Sequence, residues 1–114
     1  MVFLALSGCS AFQKTVLPRE GIAEITGTSQ MTAPVRTAVL SAGQTEELLT
    51  RIEGLGLEPT GEKNDRKGWE YSFVVRYEDG REISIVLSEE AAVIDEVVYR
   101  AAHYRANDFS SYFD

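Results

Sequence analysis

Between Trp69 and Tyr77 apolar and polar positions alternate without a break: Trp69, Tyr71, Phe73, Val75 and Tyr77 fall on one side, Glu70, Ser72, Val74, Arg76 and Glu78 on the other. Successive side chains of an extended backbone point to opposite faces, so a period of two predicts a strand with one face buried. Arg81 to Leu87 repeats the pattern through Ile83, Ile85 and Leu87. Register follows as well, because directly opposed residues in an antiparallel pair share a face. A two-residue Asp79-Gly80 turn would oppose Val75 to Ser84 and Arg76 to Ile83, mixing the faces. A three-residue loop of Glu78, Asp79 and Gly80 opposes Val75 to Ile83, Phe73 to Ile85, Tyr71 to Leu87 and Arg76 to Glu82. The pattern therefore predicts the longer loop, a type I turn closed by a bulge with Gly80 in the left-handed conformation.

Upstream, Ile22 to Thr26 and Val35 to Leu40 are short, rich in β-branched residues and separated by Gly27-Thr28-Ser29-Gln30 and Pro34, which predicts two more strands. A helix should follow. Ser41 and Gln44 have capping-box spacing, Glu46 and Glu47 are expected in its first turns, and Leu48, Leu49, Ile52 and Leu55 form an apolar stripe. Gly54 or Gly56 would close it. Pro59 to Gly68 reads as a loop, and residues 10–20 lack any period and read as a tether, so the fold should begin near Gly21. Local signals leave Ser88 to Ala102 open: Ser88 before Glu89 could cap a helix carrying Ile94, Val98 and Ala101, while the β-branched Val93, Ile94, Val97 and Val98 around Asp95-Glu96 fit a hairpin. At the C-terminus Phe109 and Phe113 are spaced to meet across a helical turn. The predicted class is α+β, one helix packed on an antiparallel, meander-rich sheet of about four to six strands, in a single domain over residues 21–114.

Composition narrows the function. The 114 residues suit one domain, and 44% hydrophobic with 25% charged residues is ordinary for a folded chain. Eleven basic against 18 acidic residues, a formal charge of -7, argue against nucleic acid, which requires a dense basic patch. The basic residues of Lys63 to Lys67 make only a short solvated loop. One cysteine and one histidine exclude an internal disulfide and an intramolecular Cys/His zinc site.

The position of that cysteine is informative. Residues 1–6 are apolar, and Leu6-Ser7-Gly8-Cys9 resembles the lipobox of bacterial lipoproteins. The resemblance implies that Cys9 is the lipidated first residue of the mature chain, held at the membrane by at least two acyl chains, in an extracytoplasmic location. Residues 1–8 then form a truncated or atypical signal: no Lys or Arg precedes the apolar run, and the run is shorter than the roughly 7 to 15 residues of a signal core. A start site chosen too far downstream would account for both. From the first strand onward, the chain is similar to small lipoproteins of unknown function from Gram-positive bacteria. The carrying features are Gly68-Trp69, Asp79-Gly80 and Ile94-Asp95-Glu96-Val97-Val98-Tyr99. That likeness implies a continued antiparallel meander, hence strands over residues 88–102, and brings no activity. Glu96 stands where a glycine is frequent in the pattern.

No catalytic constellation is legible. His103 is the single candidate imidazole base, without a nucleophile elbow, and would serve a small hydrolase only if the fold supplied partners. The acidic pairs Glu46-Glu47, Glu89-Glu90 and Asp95-Glu96 are sequence neighbours that point apart, and Asn64-Asp65 lacks the alternation of a calcium loop. No metal, cofactor or catalytic residue is expected. Trp69, at a strand start beside a polar loop, is the best single contact residue; Phe109, Tyr112 and Phe113 would be contacts if the aromatic tail docks into a partner. The leading expectation is a monomeric, non-enzymatic binding module anchored to a membrane, with an envelope protein as partner. The alternative is an inhibitor or chaperone-like domain acting on an envelope enzyme through a strand edge or the tail.

Overall fold

The structure, a computed structural model, describes residues 17–63, 68–89 and 91–113. In chain order the elements are β1 (Ile22–Ser29), β2 (Arg36–Val39), α1 (Ala42–Glu53), β3 (Leu57–Pro59), β4 (Tyr71–Tyr77), β5 (Glu82–Ser88), β6 (Ala91–Ile94) and β7 (Val97–Ala101), then two short 3₁₀ turns, Ala106–Asp108 and Ser110–Phe113. All seven strands join one antiparallel sheet in the order β2-β1-β4-β5-β6-β7-β3. The class is α+β as the pattern predicts, with more strands than the four to six expected. Leu57-Glu58-Pro59 is the addition. Too short and too polar to show a period, it becomes a strand only because Ala101 to Tyr99 lie opposite it.

The central hairpin has the predicted register, with Val75 opposite Ile83, Phe73 opposite Ile85 and Tyr71 opposite Leu87. Gly80 has φ 93° and donates its N–H to the Tyr77 carbonyl at 2.9 Å, while Tyr77 N–H reaches Arg81 O at 2.9 Å. The three-residue loop thus keeps every large residue of β4 on one face. Trp69 lies outside the strand, which starts two residues later, at Tyr71. Residues 91–101 form the hairpin that the resemblance implied, with Ile94 opposite Val97 across Asp95-Glu96. Both turn residues take positive φ, 51° and 68°, as a mirror-image two-residue turn requires.

The helix begins on the predicted cap. Ser41 Oγ accepts from Gln44 N–H at 3.2 Å and Gln44 Oε1 accepts from Ser41 N–H at 2.9 Å. No acidic side chain lies in its first turn. Glu46 and Glu47 sit one turn further on, where Arg19 and Arg51 meet them at 3.1 and 3.6 Å. Gly54 stays near helical φ at -87°, and Gly56 takes the left-handed value of 69°.

Connectivity explains how this single helix covers the sheet. It links β2 at one edge to β3 at the other, so the segment must traverse the sheet. Six inter-strand gaps make the sheet about 29 Å wide and 12 residues of helix about 18 Å long, with the flanking residues filling the difference. Leu48, Leu49, Ile52 and Leu55 enter one core with Ile25, Tyr71, Phe73, Val75, Tyr77, Ile85 and Leu87. Packing reaches back ahead of Gly21. Leu17 is buried in the same core, Pro18 O accepts from the Tyr77 hydroxyl at 2.8 Å, and Arg19 bridges Glu46 and Glu53.

Gly27 leaves room for the ring of its cross-strand partner Phe73 and for Phe113 above it. A Cβ there would lie 2.7 Å from the Phe73 ring and 3.0 Å from that of Phe113, both buried and unable to swing aside. Gly27→Ala should destabilise the fold by about 1–3 kcal/mol, the usual cost of overpacking, measured by urea unfolding. The opposite sign is expected at the last turn. Glu96→Gly relieves a left-handed non-glycine residue and should stabilise by about 1 kcal/mol, read as a higher urea midpoint at unchanged slope.

Candidate functional site

The C-terminal aromatics, expected as possible contacts, are core residues. Phe109, Tyr112 and Phe113 are 0%, 4% and 6% exposed. Phe109 and Phe113 do not pair with each other as their spacing suggested, because the 3₁₀ turns rotate them onto the sheet. Tyr71 lies 5.8 Å from Phe109 and 5.7 Å from Phe113, and Phe73 makes an edge contact with Tyr112 at 6.1 Å. Polar bonds fix the tail: Tyr71 hydroxyl to Ala106 O at 3.0 Å, Arg51 Nε to Tyr112 hydroxyl at 3.2 Å, and Arg36 Nη1 to Phe113 O at 3.0 Å. A tail that completes the core in this way is no free docking element. Trp69 is half-buried, two residues ahead of β4. Cys9 lies outside the described residues.

His103 is exposed, and its surroundings are backbone. Nδ1 stands 3.4 Å from Gly54 O, and the ring lies against Gly56, where an added Cβ would come within 3.0 Å. The serine hydroxyls that hydrogen-bond do so locally: Ser29 and Ser41 accept from Met31 and Gln44 N–H, and Ser110 donates to Asn107 O. None is poised against an imidazole, so the arrangement is that of turns and caps. Glu46 and Glu47 are taken by arginines, and Asp95 and Glu96 form a turn. Among the described residues no cluster of three or more His, Cys, Asp or Glu could hold a metal ion.

An open groove of about 460 Å³ lies between β1, the end of β2 and the start of α1, lined by Ile22, Glu24, Val39, Leu40, Thr45 and Glu46. Its carboxylates are already engaged, Glu24 by Arg76 at 3.2 Å and Glu46 by Arg19 at 3.1 Å. Arg19 and Thr45 complete its polar lining.

The two edges of the sheet differ in a way that matters for recognition. At β2, Leu40 N–H donates to Ile25 O at 2.9 Å, which makes Leu40–Ile25 a hydrogen-bonded pair. Bonded pairs alternate in an antiparallel ladder, so Ala38–Gly27 and Arg36–Ser29 are bonded too, and the amides and carbonyls of Thr37 and Val39 point away from the sheet. Arg36 is the one charged side chain along this edge, and Val35 and Val39 are 53% and 61% exposed. At the opposite edge Thr60 N–H bonds Val98 O at 3.0 Å, so the outward positions on β3 are Leu57 and Pro59, and of these Pro59 has no N–H to offer. Glu58, paired with Arg100 at 2.6 Å, adds charge beside it. One edge is blunted by the devices that prevent strand addition and the other is open.

No family model, curated protein or solved structure matches the chain. No helix among the described residues is long and apolar enough to cross a membrane.

The buried tyrosines give the core a pH limit. Burial pushes the Tyr112 hydroxyl up to about 12, against a bond to Arg51 that favours ionisation, and burial together with a 2.6 Å bond to Glu70 raises Tyr104 further. A raised phenol keeps its proton in the fold and loses it when unfolded. The stabilisation is therefore complete below the ordinary value near pH 10 and disappears as pH rises through the folded value. Stability should be flat across neutral pH on this account and fall between about pH 10 and 12, with tyrosinate absorbance appearing together with loss of ellipticity.

Proposed function

We propose that the chain is a lipid-anchored, extracytoplasmic binding module without chemistry of its own, recognising its partner by strand addition to the open edge of β2. The observation that carries this reading is the contrast between the edges, one interrupted by outward-facing Pro59 and the other presenting, among the described residues, unpaired backbone groups between exposed valines. An extended segment is the complement of such an edge. Main-chain hydrogen bonds would supply affinity, and alternate side chains would be read on the outer face beside Thr37 and Val39. The lipobox-like Leu6-Ser7-Gly8-Cys9 supports the anchor, and the burial of Leu17 sets its reach. Eight residue steps from Cys9 span at most about 28 Å, so the domain would work within roughly one domain diameter of the bilayer. Paired carboxylates in the groove and a histidine turned onto backbone support the absence of catalysis.

The same edge supports the alternative of an inhibitor or chaperone-like domain whose partner strand belongs to an envelope enzyme. Both readings share the anchor, which has a direct test. In the native host the full chain should incorporate radiolabelled palmitate and sediment with membranes, and Cys9→Ala should lose the label and appear in the soluble fraction. Label retained by Cys9→Ala would refute the anchor.

A further inference from the structure

We propose that the partner of the β2 edge is a second copy of this chain, the two β2 strands pairing antiparallel about Thr37. The inference rests on the edge being the binding element and adds the identity of its occupant. Its basis is the self-complementarity of Val35-Arg36-Thr37-Ala38-Val39. Pairing about Thr37 sets Thr37 against Thr37 of the second copy and each Val35 against the other's Val39. Thr37 and Val39 hold outward-facing positions of β2, and Val35, the residue before the strand, would continue the alternation, so each of these opposed pairs can exchange hydrogen bonds. Arg36, the single charged residue of the strand, falls opposite Ala38, so no like charges meet. Its guanidinium is turned to the inner face, where it donates to Phe113 O at 3.0 Å.

The blunted edge supplies a second argument. Pairing of β2 on one copy with β3 on the next would propagate into a filament, and Pro59 with the Glu58–Arg100 pair obstructs it. An isologous β2–β2 contact uses the open edge of both copies and closes on itself as a two-fold dimer. The paired segment is short, so the contact belongs with small interfaces of less than about 1,200 Å² and is weak in free solution. Two copies anchored in one membrane gain effective concentration, and that favours the pair where the protein resides. A dimer of this kind replaces the monomer expected from the sequence.

The geometry gives a positional test. Thr37 and its mate would have Cα atoms about 5.5 Å apart, within the roughly 4.4–6.8 Å that a disulfide spans, whereas two Val35 residues would be separated by about 13 Å. In the full chain carrying Cys9→Ala, Thr37→Cys should form a disulfide-linked dimer under a glutathione redox buffer at least tenfold faster than Val35→Cys. A mixture of Val35→Cys and Val39→Cys proteins should form the mixed dimer. Equal rates for Thr37→Cys and Val35→Cys, or no dimer from chains that circular dichroism shows to be folded, would overturn the proposal. The comparison on host membranes, in chains that retain Cys9 and carry a photo-crosslinking residue at position 39, separates this failure from failure of the edge reading. If Thr37→Cys gives no self-crosslink but position 39 is joined to a different protein in a manner abolished by Thr37→Pro, the edge binds and self-pairing is wrong. If Thr37→Pro changes no crosslink, the edge is not the binding element and both readings fall.

Discussion

Four side chains, Tyr71, Phe73, Val75 and Tyr77, project from one face of β4, an interior strand of the sheet, and each is buried. A sheet only one residue thick cannot cover its own face, so that surface has to be roofed by other parts of the chain. The helix supplies Leu48, Leu49 and Ile52, and the C-terminal turns supply Phe109, Tyr112 and Phe113. Beside Phe73 and Phe113 the adjoining strand gives up its side chain at Gly27. Arg36, Arg51 and Tyr71 then hold the tail in place through hydrogen bonds to Phe113, Tyr112 and Ala106.

Charge has a secondary part in this arrangement. The ion pairs of Arg19 with Glu46 and Glu53, of Arg76 with Glu24 and of Arg100 with Glu58 lie at the surface, where each is worth about 0–1 kcal/mol. In the groove between β1 and α1, Glu24 and Glu46 each pair with an arginine. The two edges of the sheet are unlike. Outward-facing Pro59 interrupts one, while among the described residues Thr37 and Val39 leave the other open.

The last hairpin shows a local conflict that the fold overrides. A mirror-image two-residue turn requires left-handed backbone at both positions, and here Asp95 and Glu96 adopt it without a glycine. The burial of Ile94 and Val98 on either side, with Ile94 in register opposite Ile85, outweighs the strain. Local signals in this segment remain balanced between helix and strand because the deciding term is non-local.

The sequence by itself determined whatever depends on period and spacing. The alternation of Trp69 to Tyr77, matched to that of Arg81 to Leu87, specified the register and loop of the central hairpin, since only one register keeps the large residues on one side. Ser41 and Gln44 located the start of the helix through hydrogen bonds three residues apart. Tertiary structure decided what depends on distant partners. Leu57 to Pro59 is a strand because β7 lies beside it, Leu17 belongs to the core because the sheet face extends beneath it, and the aromatic tail is buried because Tyr71 and Phe73 needed covering. The edges of the sheet, and with them the candidate site, were illegible in the sequence for the same reason: which strand lies outermost is fixed by the order of strands, which no local pattern encodes.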